Sequence, residues 1–98
     1  MGHNTNKMMR AVMLRNEFVI TRDHLESKSL DDSQVLKVKS EGYNIHFKLF
    51  DDDRVHYYSG YLHEESENEF SPLDWAMGDS GCTIIQYRNT KTNKYEDL

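Results

Sequence analysis

Several features that small proteins commonly rely on are scarce in this sequence. Cys82 is the only cysteine in 98 residues, and one thiol cannot close a disulfide within the chain, which favours a reducing, cytoplasmic setting over a secreted one. No apolar run approaches the roughly 20 residues of a membrane-spanning helix, so we expect no contact with a membrane. Residues 1–7 lack the apolar stretch of a signal peptide. We expect a disordered polar tail there, followed by a single β-rich domain over residues 8–98.

Positive charge is also scarce, above all in the middle of the chain. The formal net charge is −5, and residues 31–70 carry ten acidic groups against four basic ones. This balance disfavours direct binding of nucleic acid, whose phosphates the acidic groups would repel. It favours instead a basic protein as the partner, in contact with the acidic centre.

The clearest structural pattern is the alternation of apolar and polar residues over residues 44–50, which predicts a strand with one buried face. The three aspartates at 51–53 predict a turn, and the segment 54–63, rich in aromatic residues and valine, predicts the return strand of a hairpin. Three apolar side chains of the first strand share one parity and should be buried: Ile45, Phe47 and Leu49.

The parity of the return strand depends on the length of the loop. A three-residue loop places Val55 and Tyr57 on the face of Phe47. A two- or four-residue loop places His56 and Tyr58 there, since a slip of one residue turns every side chain to the opposite face. We expect the three-residue loop, because valine suits a core and aspartate tolerates the left-handed conformation that such loops use.

After the hairpin, the sequence predicts a short helix over residues 71–78. Ser71 can cap it, a proline follows at the first helical position, and Gly78 can end it. The apolar segment 82–88 predicts a strand, and Tyr95 adds a last edge residue in the polar tail.

The segments before the hairpin give weaker patterns. Residues 35–39 mix β-branched residues with lysines and predict a strand, and residues 17–20 predict another. Residues 7–15 fit either a helix or part of a bent strand, and residues 21–26 fit a short helix or an irregular crossover. Together these segments predict an α+β, mostly β fold. It would be an antiparallel meander of four or five strands, as an open sheet or a small barrel, with one short helix before the last strand.

Candidate catalytic and metal sites find little support. Residues 78–81, Gly-Asp-Ser-Gly, spell the motif around the nucleophile of trypsin-like serine proteases, but that fold is much longer and takes its histidine and aspartate from distant strands. Ordinary turn chemistry explains these letters, and Cys82 begins an apolar strand, as a buried structural thiol does. The five histidines lack the spacing of a zinc site. We therefore predict no catalytic residue, no cofactor and no metal site.

One surface is a candidate for binding a partner. Tyrosines of the return strand, next to the acidic turn and the acidic segment that follow the two strands, could form an aromatic and acidic patch for a basic or arginine-bearing protein. The candidate residues are Asp51, Asp52, Asp53, Tyr58, Tyr61, Glu64, Glu65, Glu67 and Glu69.

Three functions follow as hypotheses. The first is a non-catalytic intracellular binding or regulatory domain that acts through its acidic surface by protein–protein contact. The second is an acidic mimic of nucleic acid that inhibits a DNA- or RNA-binding protein, as mobile elements encode. The third is a small enzyme with a cleft that holds His46, His56, Ser80 or Cys82. It requires these residues to lie close together, and the sequence contains no pattern that predicts this.

Overall fold

One antiparallel sheet of six strands, with two helices, makes up residues 17–98, the part of the chain that the computed structural model describes. The predictions for residues 1–7 and 7–15, and for a domain start at residue 8, lie outside the described residues. Within residues 17–98, neither helix has the length and apolar character needed to cross a bilayer. The strands are β1 (Phe18–Asp23), β2 (Lys28–Ser29), β3 (Tyr43–Phe50), β4 (His56–His63), β5 (Ile84–Asn89) and β6 (Lys94–Asp97), and the helices are α1 (Asp32–Ser40) and α2 (Ser71–Ser80).

The strand order is β2-β1-β4-β3-β5-β6. Three hairpins therefore lie side by side, with β3 and β4 at the centre of the sheet. The mostly β, antiparallel class is confirmed, and the sheet is open, with β2 and β6 at its edges. The predicted meander order is wrong, because β1 pairs with β4 and β5 pairs with β3. The predicted strand count is also slightly too low, and a second helix, α1, was not predicted.

The hydrophobic core lies on one face of the sheet, under α2. Phe47 and Leu49 are fully buried there, and Ile45 packs against them from the margin of the core, as the alternation in β3 predicts. The buried cluster consists of Phe18, Ile20, Phe47, Leu49, Tyr58, Leu62, Leu73, Ala76, Cys82 and Ile85.

The register of the central hairpin differs from the prediction. Leu49 lies opposite Tyr58, and Val55 is 53% exposed in the loop. The predicted three-residue loop is wrong, because the loop spans residues 51–55 and includes Val55. In addition, a bulge between Leu49 and Phe50 shifts the pairing by one residue and so exchanges the two faces of β4. Asp51 shapes the loop, since its carboxylate accepts the backbone N–H groups of Asp53 and Val55, both at 2.9 Å.

The strand predicted over residues 35–39 is wrong, because this segment belongs to α1. A capping box begins the helix. The Asp31 carboxylate accepts the Gln34 backbone N–H at 2.8 Å, and the Gln34 side chain accepts the Asp31 N–H at 2.9 Å. These bonds satisfy two backbone donors that an uncapped helix leaves free. Val35 and Val38, one turn apart, form the half-buried side of α1.

The helix predicted over residues 71–78 is present and longer. Phe70 rather than Ser71 is its N-cap and makes no side-chain capping bond, while the Ser71 hydroxyl donates to the Glu17 carboxylate at 2.6 Å. Gly78 lies inside the helix, and Gly81, with φ of 79°, ends it, because glycine adopts left-handed backbone without strain.

The remaining strands agree with the sequence to within a few residues. The strand predicted over 82–88 is β5, and Tyr95 belongs to the edge strand β6. The strand predicted over 17–20 is β1, which continues to Asp23. Residues 21–26 were expected to form a short helix or an irregular crossover. They form instead the end of β1 and a turn.

Candidate functional site

The face of the sheet opposite the core carries polar and aromatic side chains. Successive residues of a strand point to opposite faces, so the neighbours of the core residues in β3 and β4 lie on this second face. His46 is paired with Tyr61 across the two strands, and Lys48 is paired with Ser59. The short helix α1 covers one side of this face, with the Lys39 ammonium 5.6 Å from the centre of the Tyr61 ring.

A cleft of about 480 Å³ opens on this second face, between α1 and β6. Asp32 and Val35 bound it on the α1 side, and Tyr95 bounds it on the β6 side. The acidic and basic side chains in its lining come from four separate segments of the chain and are Arg22, His24, Asp32, His46, Lys48 and His56.

His46, Lys48 and Tyr95 form one connected group in the cleft. The His46 Nδ1 is hydrogen-bonded to the Tyr95 hydroxyl, and the Lys48 ammonium lies 3.9 Å from the centre of the Tyr95 ring, in cation–π contact. Burial, followed by the charges of Lys48 and Arg88, lowers the pKa of His46 to about 4. His46 is therefore an uncharged imidazole at neutral pH, with one donor and one acceptor nitrogen.

His56 is in contact with two other rings, stacked on Phe50 and tilted against His24. Its centroid lies 4.4 Å from that of His24 and 5.0 Å from that of Phe50. Burial, followed by the nearby His24, lowers the pKa of His56. Its Nε2 lies 2.8 Å from both the Tyr58 carbonyl oxygen and the Ser59 Oγ. Since a carbonyl only accepts, Nε2 carries the hydrogen of the neutral ring and cannot take a proton from Ser59 in this arrangement.

The cleft is cationic although the chain as a whole is acidic. Arg22 and Lys48 line it against a single carboxylate, that of Asp32. The positive charges of Arg88 and Lys39 also lower the pKa of His46. The Arg88 Nε is buried and has no hydrogen-bond partner among residues 17–98.

The structure does not bring the two predicted acidic clusters together. Residues 51–53 form the loop at one end of the central hairpin, and residues 64–69 follow the other end of β4. A strand of eight residues separates them, a distance of roughly 25 Å. Two of the aspartates are already engaged in the fold, Asp51 with backbone amides and Asp52 with the Thr83 hydroxyl.

The two predicted tyrosines lie on opposite faces. Tyr58 is 3% exposed and belongs to the core, where its hydroxyl donates to the Asp79 carboxylate at 2.9 Å. Tyr61 is half-buried on the cleft face beside His46, with ring centroids 4.8 Å apart. The aromatic and acidic patch expected from the sequence is therefore not assembled, and Tyr58 is not accessible to a partner.

The segment 64–69 presents its carboxylates to solvent. Glu64, Glu65, Glu67 and Glu69 are exposed. Glu64 accepts a hydrogen bond from the Asn44 side chain at 2.6 Å. None of the four forms an ion pair with a lysine or arginine of residues 17–98.

The protease-like tetrapeptide and Cys82 are parts of the fold. Ser80 lies at the end of α2, and its hydroxyl donates to the Ala76 carbonyl oxygen at 3.2 Å. Cys82 is fully buried, and burial raises the pKa of its thiol, which keeps it protonated and unreactive. In the described residues, no three His, Cys, Asp or Glu side chains are grouped to hold a metal ion.

Sequence reasoning identified His46 and His56 but missed most of the cleft. The alternation of side chains in β3 places Lys48 on the same face as His46, so this neighbour could have been predicted from the sequence. Arg22, His24 and Tyr95 reach the cleft only because β1 and β6 take their places in the sheet, which no local pattern determines. Comparisons of the chain with protein-family models, with curated proteins and with solved structures found no match.

Proposed function

We propose that the chain is a non-catalytic binding domain that holds a small ligand in the cleft on the second face of its sheet. The observation that carries the proposal is convergence. His24, His46, His56, Lys48 and Tyr95 come from four segments of the chain and line one cleft of about 480 Å³. Ligand sites are commonly clefts of roughly 300–1,000 Å³ in which a few polar groups from separate elements converge.

The chemistry of the lining supports binding rather than catalysis. A nucleophile needs a base that can accept its proton. The His56 Nε2 hydrogen is donated to the Tyr58 carbonyl oxygen, so this nitrogen cannot accept the Ser59 proton, and His46 Nδ1 is occupied by the Tyr95 hydroxyl. A small enzyme that uses the histidine-lined cleft is the competing candidate, and the three histidines are the observation in its favour. The single buried thiol supports a cytoplasmic setting for either one.

Screening by NMR tests the binding proposal. A mixed library of neutral and charged fragments is added to the ¹⁵N-labelled chain, and we expect the amide shifts to change at residues 46–48, 56–59 and 95. The matched pair of variants is His46→Gln, in the cleft, and His63→Gln, which lies outside it. Only the first should weaken the binding of cleft fragments. If the shifts change elsewhere, or if His63→Gln has the same effect, the cleft is not the site.

A second candidate function is contact with a basic protein through the acidic segment 64–69. The carboxylates of this segment favour it, since they are exposed and form no ion pair with a lysine or arginine of residues 17–98. Steering by such charges acts mainly on the rate of association. A nucleic-acid mimic would use both acidic clusters, and the roughly 25 Å between them would have to match the spacing of phosphates on the target.

A pull-down from the native host tests this second function. Replacing Glu64, Glu65, Glu67 and Glu69 by glutamine should abolish capture at low salt. The control replaces four other exposed acids, Glu41, Asp53, Asp74 and Glu96, by their amides and should leave capture unchanged. Equal capture by both variants would make the acidic segment a solubility feature.

A further inference from the structure

We infer that the ligand of the cleft is a small organic oxyanion, a molecule whose phosphate or carboxylate group binds between Lys48 and Arg22. The inference deepens the proposed function and rests on it. It concerns the charge of the ligand, whereas the proposed function concerns only the place of binding.

The two cations of the cleft have no carboxylate partner in the described residues. Neither Lys48 nor Arg22 forms an ion pair with a carboxylate of residues 17–98. Arg54, by contrast, binds Asp97 at 3.0 Å on the exposed surface. A chain with a net charge of −5 has carboxylates to spare for pairing, yet its fold collects these two cations around a cleft with one carboxylate in its lining.

The cleft also has more hydrogen-bond donors than its own residues satisfy. The Lys48 ammonium has three donor hydrogens, and its recorded contact is with the face of the Tyr95 ring, which accepts none of them as a conventional hydrogen bond. Arg22, the other cation of the lining, brings the planar, multiple donors of a guanidinium group. An oxyanion is the ligand that satisfies several such donors at once.

The protonation state of His46 bears on how the charge of the cleft depends on pH. Because His46 is neutral at physiological pH, it adds no charge, and the positive charge of the cleft comes from lysine and arginine, which remain charged. The cleft therefore attracts anions across the whole physiological range.

The same observations disfavour the two other ligand classes. A metal ion would need a group of three ligating side chains, which the described residues do not provide. A long polyanion such as nucleic acid would meet the negative field of the chain outside the cleft. A small anion enters the cleft and avoids that field.

The test is a titration of the ¹⁵N-labelled full chain with three probes at constant ionic strength: inorganic phosphate, succinate and glycerol. We expect phosphate, succinate or both to shift the amides of residues 46–48 and 59 in a saturable way, and glycerol to leave them unchanged. Phosphate alone would indicate a phosphate ester as the ligand, and succinate alone a carboxylate.

Variants separate a site from general screening of charge. Lys48→Gln and Arg22→Gln should each weaken binding of the anion by about tenfold, the loss expected for one charge-assisted hydrogen bond. Lys91→Gln, in the exposed turn before β6, is the control and should bind as the original chain does. Thermal unfolding of each variant confirms that the fold is retained.

Each other outcome contradicts a defined part of the argument. If neutral fragments bind in the cleft and the anions do not, the inference is wrong and the proposed function stands. If all three lysine and arginine variants bind equally, the anion acts by screening and the inference is wrong. If neither anions nor fragments shift the cleft residues, both the inference and the proposed function are wrong.

Discussion

The two faces of the sheet differ in composition although the same strands build both. On the α2 face, Phe47 and Leu49 are fully buried among other apolar side chains. On the other face, the intervening residues His46 and Lys48 line a polar cleft. Alternate residues of β3 thus belong separately to the core and to the lining of the cleft. Substitutions at neighbouring positions should consequently have very different effects.

The largest difference is expected between Phe47→Ala and Lys48→Ala. Removing the buried Phe47 ring leaves a cavity and should lower the free energy of unfolding by about 3–5 kcal/mol. Removing the Lys48 side chain loses a cation–π contact and should cost less than about 1 kcal/mol. Urea denaturation measures both values. Equal losses would show that the two faces are not divided as described.

Gly60, in the central strand β4, offers a second test of how tightly the core is packed. Gly60 lies opposite Phe47, and a Cβ added there would fall against the Val19 carbonyl oxygen and within 2.8 Å of the Phe47 ring. Gly60→Ala should destabilise the fold by about 1–3 kcal/mol through overpacking. Gly78→Ala is the control, since nothing lies within 4 Å of its added Cβ in α2. The control should stabilise by about 0.5–1 kcal/mol, and a loss at Gly78 would contradict this assignment.

The smallest effect is the pH dependence that the cleft face adds to stability. His46 has an ordinary pKa of 6.5 when unfolded and about 4 when folded. Between these values the unfolded chain binds the proton more readily, so stability is complete above pH 6.5 and is lost as the pH falls toward 4. Partial exposure screens the effect, and we expect on the order of 1 kcal/mol.

Chemical denaturation at pH 7 and pH 4.5 measures this loss. His46→Gln should reduce the difference between the two pH values, because glutamine does not titrate. The original chain, measured in parallel, is the reference for the full difference. An unchanged difference in His46→Gln would assign the pH dependence to other groups.

The central hairpin could be predicted from the sequence, and its register could not. The alternation of Ile45, Phe47 and Leu49 is a local signal with one physical reading, a half-buried strand. The register depended on a bulge next to Phe50, where one extra residue changes every later pairing. The expectation that Val55 is buried is wrong for a different reason, because the loop is five residues long and contains it.

The helix α1 was within reach of the sequence. Asp31 and Gln34 spell a capping box, and this local signal outweighed the β-branched residues Val35 and Val38, whose preference for strands depends strongly on context. The cleft was mostly out of reach, because Arg22, His24 and Tyr95 join His46 only through pairings between distant strands.

The arrangement of three adjacent hairpins has a consequence for the order in which the chain folds. Leu49 and Tyr58 pair across nine residues of sequence, whereas Phe18 and Leu62 pair across 44. Closing the longer loop costs more entropy, so we expect β3 and β4 to pair first and to serve as the template on which β1 and β5 assemble. Pulsed hydrogen exchange during refolding should protect the amides of Phe47 and Leu49 before that of Val19. Until β1 and β6 have joined, the cleft does not exist, so the ligand that we propose for it can bind only after the last strands are in place.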